Sequence, residues 1–406
     1  MGPTLNNMKP DSAIEIVREL RKRGHEAYLV GGCVRDMVMK IEPADYDIAT
    51  SARPEEIVEI FPRTESIGAQ FGVVLVIFHG HPFEVATFRS DEAYIDGRRP
   101  TGVVFTDARQ DVRRRDFTIN GLLYDPISHE VIDYVGGQAD IRAKLVRAIG
   151  DARARFEEDK LRILRAVRFG ARLGYEIERT TWEAVVAMAP KIHQVSCERI
   201  REEVSRILTE GQALRGFRLM EESGLRKEIF PELEWTGHIE ASLGFIKHGA
   251  AADFAMGVLL HHTPVSSVAT IIERLKFSRA EMHHIVALIG NLPQFSRVRE
   301  MSVAELKRFL RLNRFEDHVE LRRIHLMADE KDLADVNYVL SKRAAWTDKD
   351  ICPEPLITGN DLIVMGFAPG PMFKEILTTV EDAQLEGRIT NRSEAVDFVK
   401  GRYGRA

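Results

Sequence analysis

The chain has 406 residues, 44% hydrophobic and 29% charged, with a formal net charge of −5. This composition fits a globular protein of two to four structural units and excludes a surface that is basic all over, so any nucleic-acid contact has to come from local patches. Such patches occur at Arg113-Arg114-Arg115 and between Arg142 and Arg172, a stretch holding ten lysines and arginines. Cys33, Cys197 and Cys352 are odd in number and far apart, which points to a reducing cytoplasm and no structural zinc. No apolar run approaches the ~20 residues needed to span a bilayer, and the N-terminus lacks a signal-peptide pattern, so no membrane role is expected. The sequence leaves the oligomeric state unknown.

In chain order, Ile14, Val17 and Leu20 predict an amphipathic helix over Lys9 to Lys22. Tyr28-Leu29-Val30 ends a strand, and Gly31-Gly32 permits a tight turn where backbone can approach a ligand. A helix beginning there would aim its first N–H groups at an anion, with Arg35 adding a positive charge one turn in. In the next segment, DYDIAT, Asp45 and Asp47 alternate with Tyr46 as on a strand, which turns both carboxylates to one side. Two aligned carboxylates near a phosphate site suit Mg²⁺, and a two-metal arrangement would activate an attacking hydroxyl and stabilise leaving pyrophosphate. Either feature alone is common in ordinary turns and strands. Their order and spacing make the case.

The GG-x-VRD element followed by D-x-D resembles the head-domain signature of the tRNA nucleotidyltransferase and bacterial poly(A) polymerase family, class II of the polymerase-β superfamily. The resemblance implies an α/β N-terminal head, with a small mixed sheet and helices, followed by an all-α neck, body and tail. It also implies template-independent addition of C, C and A from CTP and ATP to the 3′ end of tRNA, with release of pyrophosphate. The expected boundaries are 1–150 for the head, 151–215 for the neck that recognises the base, 216–292 for the body and 293–406 for a tRNA-binding tail.

Further along, Pro54 to Phe61 reads as a helix opened by Ser51 and Pro54, and Gly72 to Phe78 and Phe83 to Phe88 as strands parted by His79-Gly80-His81-Pro82. Glu84 is either an exposed strand residue or, by its match to the family's E-x-x-T-x-R pattern, a third catalytic acid. Ser90 to Val103 lacks periodicity and is a loop candidate; in the resembling enzymes such a loop governs the change from CTP to ATP. DVRRRDFTIN, Asp111 to Asn120, matches the family's R-R-D-F-T-x-N element. Arg forks suit triphosphate oxygens, so Arg115 is assigned the triphosphate and Asp116 and Asn120 the ribose, against the alternative of a solvated basic face. Asp133 to Gly137 with Asp140 resembles the family's structural D-x-x-G-G-x-x-D turn.

From Arg155 one long helix is predicted, with Leu161, Leu164, Val167 and Ala171 as its apolar stripe and Arg162 and Arg165 opposite. Asp159 and Arg162 form either a surface ion pair or a base-reading pair: a carboxylate accepts from an exocyclic amine and a guanidinium donates to a ring acceptor, which suits cytosine and adenine but not uracil or guanine. The match to E-D-x-x-R-x-x-R-A-x-R-F implies the second role for Asp159 and Arg162, with Glu158 and Arg165 in support. Arg168 falls half a turn from Asp159 and is expected on phosphate or an internal acid, although the family pattern also counts it in the nucleotide site.

Beyond Tyr175 the chain reads as helices over Thr180 to Met188, Cys197 to Leu208, Ala213 to Ser223 and Ala250 to Leu260. His261-His262 and His283-His284 read as helix-packing histidines, because no Asp follows His262 as it would in a paired His-Asp metal site. Arg297, Arg299, Lys307, Arg308, Arg311, Arg314, Arg322 and Arg323 are either a phosphate-tracking surface or a solvated face. Bacterial poly(A) polymerase is the nearest alternative function. It usually carries a basic G-[RK]-[RK]-F element where this chain has Gly68-Ala69-Gln70-Phe71. CC-only or A-only addition, and a non-catalytic RNA-binding protein on the same scaffold, are the others.

Overall fold

A computed structural model describes residues 8–65, 72–91 and 103–404. The Gly68–Phe71 element and most of the 90–103 loop therefore lie outside the described residues. Two compact units are present: Met1–Glu234 with Ile246–Ala252 and Ile271–Phe277, and Trp235–Phe245 with Asp253–Thr270 and Ser278–Ala406. No described helix is long and apolar enough to cross a membrane.

The first unit opens with α1 (Met8–Lys22), whose Ala13, Ile16, Val17 and Leu20 are fully buried, close to the predicted stripe. It leads into β1 (Ala27–Val30), α2 (Gly32–Val38) and β2 (Asp47–Thr50), then α3 (Pro54–Ile60), β3 (Thr64–Glu65), β4 (Val73–Phe78) and β5 (His81–Thr87). The cap of α3 is Arg53 rather than Ser51: the Glu56 carboxylate accepts from the Arg53 backbone N–H at 2.7 Å. The β4–β5 turn is only His79-Gly80, both at positive φ, which matches the twist of a two-residue hairpin. Next come β6 (Arg89–Asp91) and β7 (Val103–Phe105), paired antiparallel at the ends of the predicted loop, then α4 (Ala108–Arg113), β8 (Leu122–Asp125), β9 (Glu130–Asp133) and α5 (Gly137–Ala143).

Among the described residues seven strands form a mixed sheet in the order β3-β4-β5-β2-β1-β8-β9, parallel only at β2–β5. Val30, Ala49, Phe88, Ala108, Val112 and Leu123 pack between the sheet and α4. This is the expected α/β head. β10 (Leu145–Val146) and β11 (Glu176–Ile177) form a small parallel pair beyond it.

The predicted neck helix is two helices. α6 (Ala152–Glu158) ends at Asp159, whose backbone is extended (φ −144°, ψ 105°), and α7 (Leu161–Leu173) restarts after it. The Asp159 carboxylate accepts from the Leu161 N–H at 3.1 Å, a local bond that competes with helix continuation. α8 (Arg179–Met188), α9 (Cys197–Thr209), α10 (Ala213–Glu222) and α11 (Leu225–Ile229) follow near the predicted positions.

The second unit is helical. It contains α12 (Gly237–Leu243), α13 (Ala252–Leu260), most of α14 (Val265–Arg274), α15 (Arg279–Asn291), α16 (Val303–Leu310), α17 (Phe315–Ala328), α18 (Ala334–Ala345) and α19 (Asp348–Ile351). α20 (Gly359–Val364), α21 (Pro371–Leu385) and α22 (Arg392–Tyr403) complete it. One core runs from Phe295 to Ile351 and a separate one from Ile357 to Val399. Many of the tail cations are tied to acids within this unit: Arg308 to Glu381 and Asp382, Arg311 to Glu381, Arg314 to Asp253 and Asp317, and Arg322 to Asp335. These four arginines are thus cross-links between helices rather than a purely solvated face.

Candidate active site

Register brings the first motifs together. Val30, the last residue of β1, pairs with Asp47, the first of β2, and with Leu123 near the start of β8. One end of the sheet therefore gathers the Gly31-Gly32 turn, the carboxylates before and at β2, and the segment leading into β8. Gly31 sits at φ 76°, ψ −131°, a conformation glycine alone adopts freely, and a Cβ there would meet the Arg115 guanidinium at 3.2 Å. Together they line a cleft of about 550 Å³ whose walls include Gly31, Gly32, Arg35, Asp45, Asp47, Arg115, Asp116 and Asn120 from the head and Asp159, Arg162, Arg165 and Arg168 from the neck.

Asp45 precedes β2 instead of lying on it, so strand alternation does not align the two acids as predicted; the bend before β2 brings Asp45 to the same cleft. Asp45 is largely exposed, with Lys9 Nζ 3.5 Å away. Asp47 opens to solvent at the cleft, yet the protein mass beside it and the Glu84 charge outweigh the pull of Arg115 and push its carboxyl up to about 6. Glu84 is exposed on β5, one residue before the Val85 that pairs with Ile48. It is a charged neighbour of Asp47, but it is not among the residues lining the cleft. Oxygen donors with excess negative charge fit a hard divalent cation. Cys33 also lines the cleft, but burial pushes its thiol up to about 11, so it stays protonated.

Beside the acids, a buried network orders the basic wall. Burial alone would raise the Asp111 carboxyl, but Arg115 and Arg114 outweigh it and hold it below the usual carboxylate range. Both guanidinium groups donate to it, at 3.0 and 2.7 Å. Two of the three consecutive arginines are thus fixed by one buried acid. Asp116 accepts from Arg165 Nη2 at 2.5 Å and Nε at 2.8 Å, from the Phe117 N–H at 2.8 Å and from Asn120 Nδ2 at 3.2 Å. Burial opposes its ionisation, yet Arg165 carries its pKa down to about 2. Asn120 Oδ1 in turn accepts from Arg35 at 2.7 Å, and Arg35 also donates to Asp36. Arg35 is only 2% exposed, so it braces the turn and presents little of itself to the cleft.

The Asp133 turn clamps this network from outside. Asp133 accepts from the backbone N–H groups of Val135, Gly136, Gly137 and Gln138, and Asp140 accepts from Thr118 Oγ1 at 2.6 Å. Gly137 lies so close that a Cβ would stand 2.2 Å from the Thr118 carbonyl oxygen. The element is structural, as expected, and it holds the Thr118–Asn120 turn that carries Asn120.

On the neck side, Asp159 and Arg162 do not pair with each other. Both Asp159 oxygens accept from Arg199 of α9, at 3.0 and 2.7 Å. Arg162 donates to Glu158 at 2.9 Å, to the Arg155 carbonyl at 3.2 Å and to the Arg114 carbonyl at 2.8 Å. Glu158 therefore steadies Arg162 from behind. The apolar stripe is also wider than predicted: Arg162 and Arg168 are buried along with Leu161, Leu164, Val167 and Ala171, because α7 is enclosed by the head, α9 and α10. Arg168 meets internal acids, Glu203 at 2.7 Å and Glu210 at 3.3 Å.

Residues 27–147 match the poly A polymerase head domain, 174–236 a "Probable RNA and SrmB-binding site of polymerase A", and 253–399 tRNA nucleotidyltransferase domain 2. The CCA-adding enzyme of Geobacillus thermodenitrificans is 33% identical over 400 residues, 96% of each chain. This chain belongs to the CCA-adding enzyme family. The CCA-adding enzyme of Bacillus licheniformis is 34% identical over 95% of this chain and 96% of its own. The CTP complex of the Bacillus stearothermophilus CCA-adding enzyme superposes with a TM-score of 0.79 at 27% identity, covering 99% of both chains. A CCA-adding enzyme from Thermotoga maritima, solved with tRNA, shares the fold at a TM-score of 0.64 and 20% identity. The chain is accordingly a nucleotidyltransferase, and CCA-adding nucleotidyltransferases are metal-dependent.

The CCA-adding family motifs in the sequence left out Arg199 and Arg206 of α9, which line the same cleft, and Glu203 between them. Arg199, Glu203, Arg206 and Glu210 recur at spacings of four, three and four, one face of a helix, and that charged periodicity was the available signal.

Proposed function

We propose that this chain adds CMP, CMP and AMP to the 3′ end of tRNA, with the base chosen by side chains of the neck. The observation that carries the proposal is that Asp45 and Asp47, the Gly31-Gly32 turn with Arg115, and Asp159 with Arg162 line one cleft. In this reading the triphosphate lies along Gly32 and Arg115, with Arg35 contributing charge from beneath, while Asp116 and Asn120 bracket the ribose. Asp159 accepts from the exocyclic amine of cytosine or adenine, and Arg162 donates to the ring acceptor. Arg199 donates to both Asp159 oxygens and the Leu161 N–H takes the second lone pair of Oδ1, which leaves one lone pair of Oδ2 for the base. Arg165 keeps Asp116 ionised, and Arg168 neutralises Glu203 behind the base site.

Asp45 and Asp47 would hold Mg²⁺, with Glu84 adding charge beside Asp47; when bound, the cation supplies Lewis acidity toward the attacking hydroxyl and the leaving pyrophosphate. The terminal 3′-hydroxyl loses its proton and bonds to the α-phosphorus as the bond to pyrophosphate breaks. The same proposal divides the chain into head (1–150), neck (151–215), body (216–292) and tRNA-binding tail (293–406). It places the reaction in the cytoplasm, consistent with three free thiols at Cys33, Cys197 and Cys352.

The test offers each nucleoside triphosphate singly to tRNAs ending before the first C, after the first C and after the second C. CMP addition to the first two and AMP addition to the third support the reading. AMP addition to every end would replace it with poly(A) polymerase activity. Asp45→Ala, at an exposed position, abolishes incorporation while leaving thermal unfolding unchanged.

A further inference from the structure

The second unit brings together four histidines that the sequence keeps far apart. His238 lies on α12, His261 and His262 follow α13, and His325 is in the last turn of α17. One ring nitrogen from each lies within 4.8 Å of the others, the only such group of His, Cys, Asp or Glu found among the described residues. The pairwise reading of His261-His262 as packing residues missed this, because it takes three helices to assemble the group.

Hydrogen bonds set the ring tautomers. His261 Nδ1 lies 2.7 Å from the Val258 carbonyl oxygen, which only accepts, so Nδ1 carries the hydrogen. His238 Nδ1 lies 2.5 Å from Asp329 Oδ1, a carboxylate oxygen that only accepts, so that Nδ1 also carries a hydrogen. In both neutral rings the lone pair is then on Nε2, and the two Nε2 atoms face each other at 2.9 Å. Opposed lone pairs need a positive centre: a second proton on one ring, or a cation. His325 Nδ1 is buried with no hydrogen-bond partner.

We propose that His238, His261, His262 and His325 bind a divalent transition-metal ion of the zinc class, with Asp329 orienting His238 from behind. Neutral nitrogen donors suit zinc and do not suit Mg²⁺, which prefers oxygen, so this site is chemically separate from the Asp45–Asp47 pair. Tetrahedral zinc at 2.0–2.1 Å puts its ligands about 3.4 Å apart, between the 2.9 Å that separates the two Nε2 atoms and the 4.8 Å that bounds the group. Four protein ligands close the shell, so the ion cross-links α12, the end of α13 and α17 and takes no substrate. The carboxylate–histidine arrangement at Asp329–His238 is the outer support that such ligands use.

The test uses the full chain, stripped with a chelator and exchanged into buffer with excess Mg²⁺ to fill oxygen sites. ZnCl₂ titrated by calorimetry should bind at one equivalent, and Co²⁺ should give the intense visible absorption of a tetrahedral nitrogen site. Asp329→Asn should keep the stoichiometry and weaken zinc about 10–100-fold. The double variant His261→Gln/His325→Gln should lose the equivalent while retaining CMP incorporation. If that variant fails to fold, as judged by circular dichroism, His262→Ala at an exposed position should weaken zinc at least as much as Asp329→Asn does. Absence of a saturable zinc equivalent in the wild type, or equal uptake by the wild type and a folded ligand variant, would overturn the proposal.

Discussion

Asp116→Asn tests the buried network that orders the cleft. The carboxyl is 9% exposed and is held at about 2 against an ordinary value of 3.8, with Arg165 supplying the largest favourable interaction. Because its folded pKa is depressed, the stabilisation is fully present above the unfolded value and fades as pH falls toward 2. The linkage amounts to about 2 kcal/mol at pH 7 and roughly 1 kcal/mol at pH 3. Complete loss of a buried ion pair would cost about 3–5 kcal/mol, but Arg165 keeps Glu203 at 3.6 Å and the amide oxygen still accepts, so the lower figure applies. For a unit of this size, ~2 kcal/mol lowers the unfolding midpoint by roughly 4–8 °C at pH 7. At pH 3 the gap between wild type and variant should shrink by about half. Calorimetric scans of both proteins at the two pH values measure it, and the KM for CTP should rise in parallel. A gap as wide at pH 3 as at pH 7 would refute the assignment of the charge to the Asp116–Arg165 pair.

Arg199→Ala removes both guanidinium donors from Asp159 and leaves only the Leu161 N–H, and discrimination of CTP over UTP should fall by about 10-fold, the equivalent of roughly 1.4 kcal/mol in positioning. Single-turnover incorporation with each nucleotide reads this ratio. Gly137→Ala places a Cβ 2.2 Å from the Thr118 carbonyl oxygen and should destabilise the first unit by about 1–3 kcal/mol or more in urea unfolding, with loss of activity following the Thr118–Asn120 turn. His318 is 2% exposed, and burial first, then His284, lowers it to about 4. Its neutral form is favoured in the fold, so stability is full above about pH 6.5 and declines as pH falls toward 4. His318→Gln should flatten the midpoint-versus-pH curve over that window.

What the sequence determined by itself was local chemistry. Gly31-Gly32, the acids at 45 and 47, the RRDF element and the Asp133 turn are short, contiguous signals, and much of their support is local, as when Asp111 holds Arg115 and Asp133 accepts from its own turn, although Asp116 is held by Arg165 of α7. Apolar runs bounded by turn residues likewise located β1, β4 and β5. Tertiary structure decided which group meets which. Asp159 pairs with Arg199, forty residues away, because α7 packs on α9 and because Asp159 breaks the helix that would have set it beside Arg162. The four arginines of the tail became cross-links, and four scattered histidines became one cluster, for the same reason. Helical periodicity fixes which face of an element is apolar, but a buried charge takes whichever partner the neighbouring helix delivers, and that depends on crossing geometry not written in either helix alone.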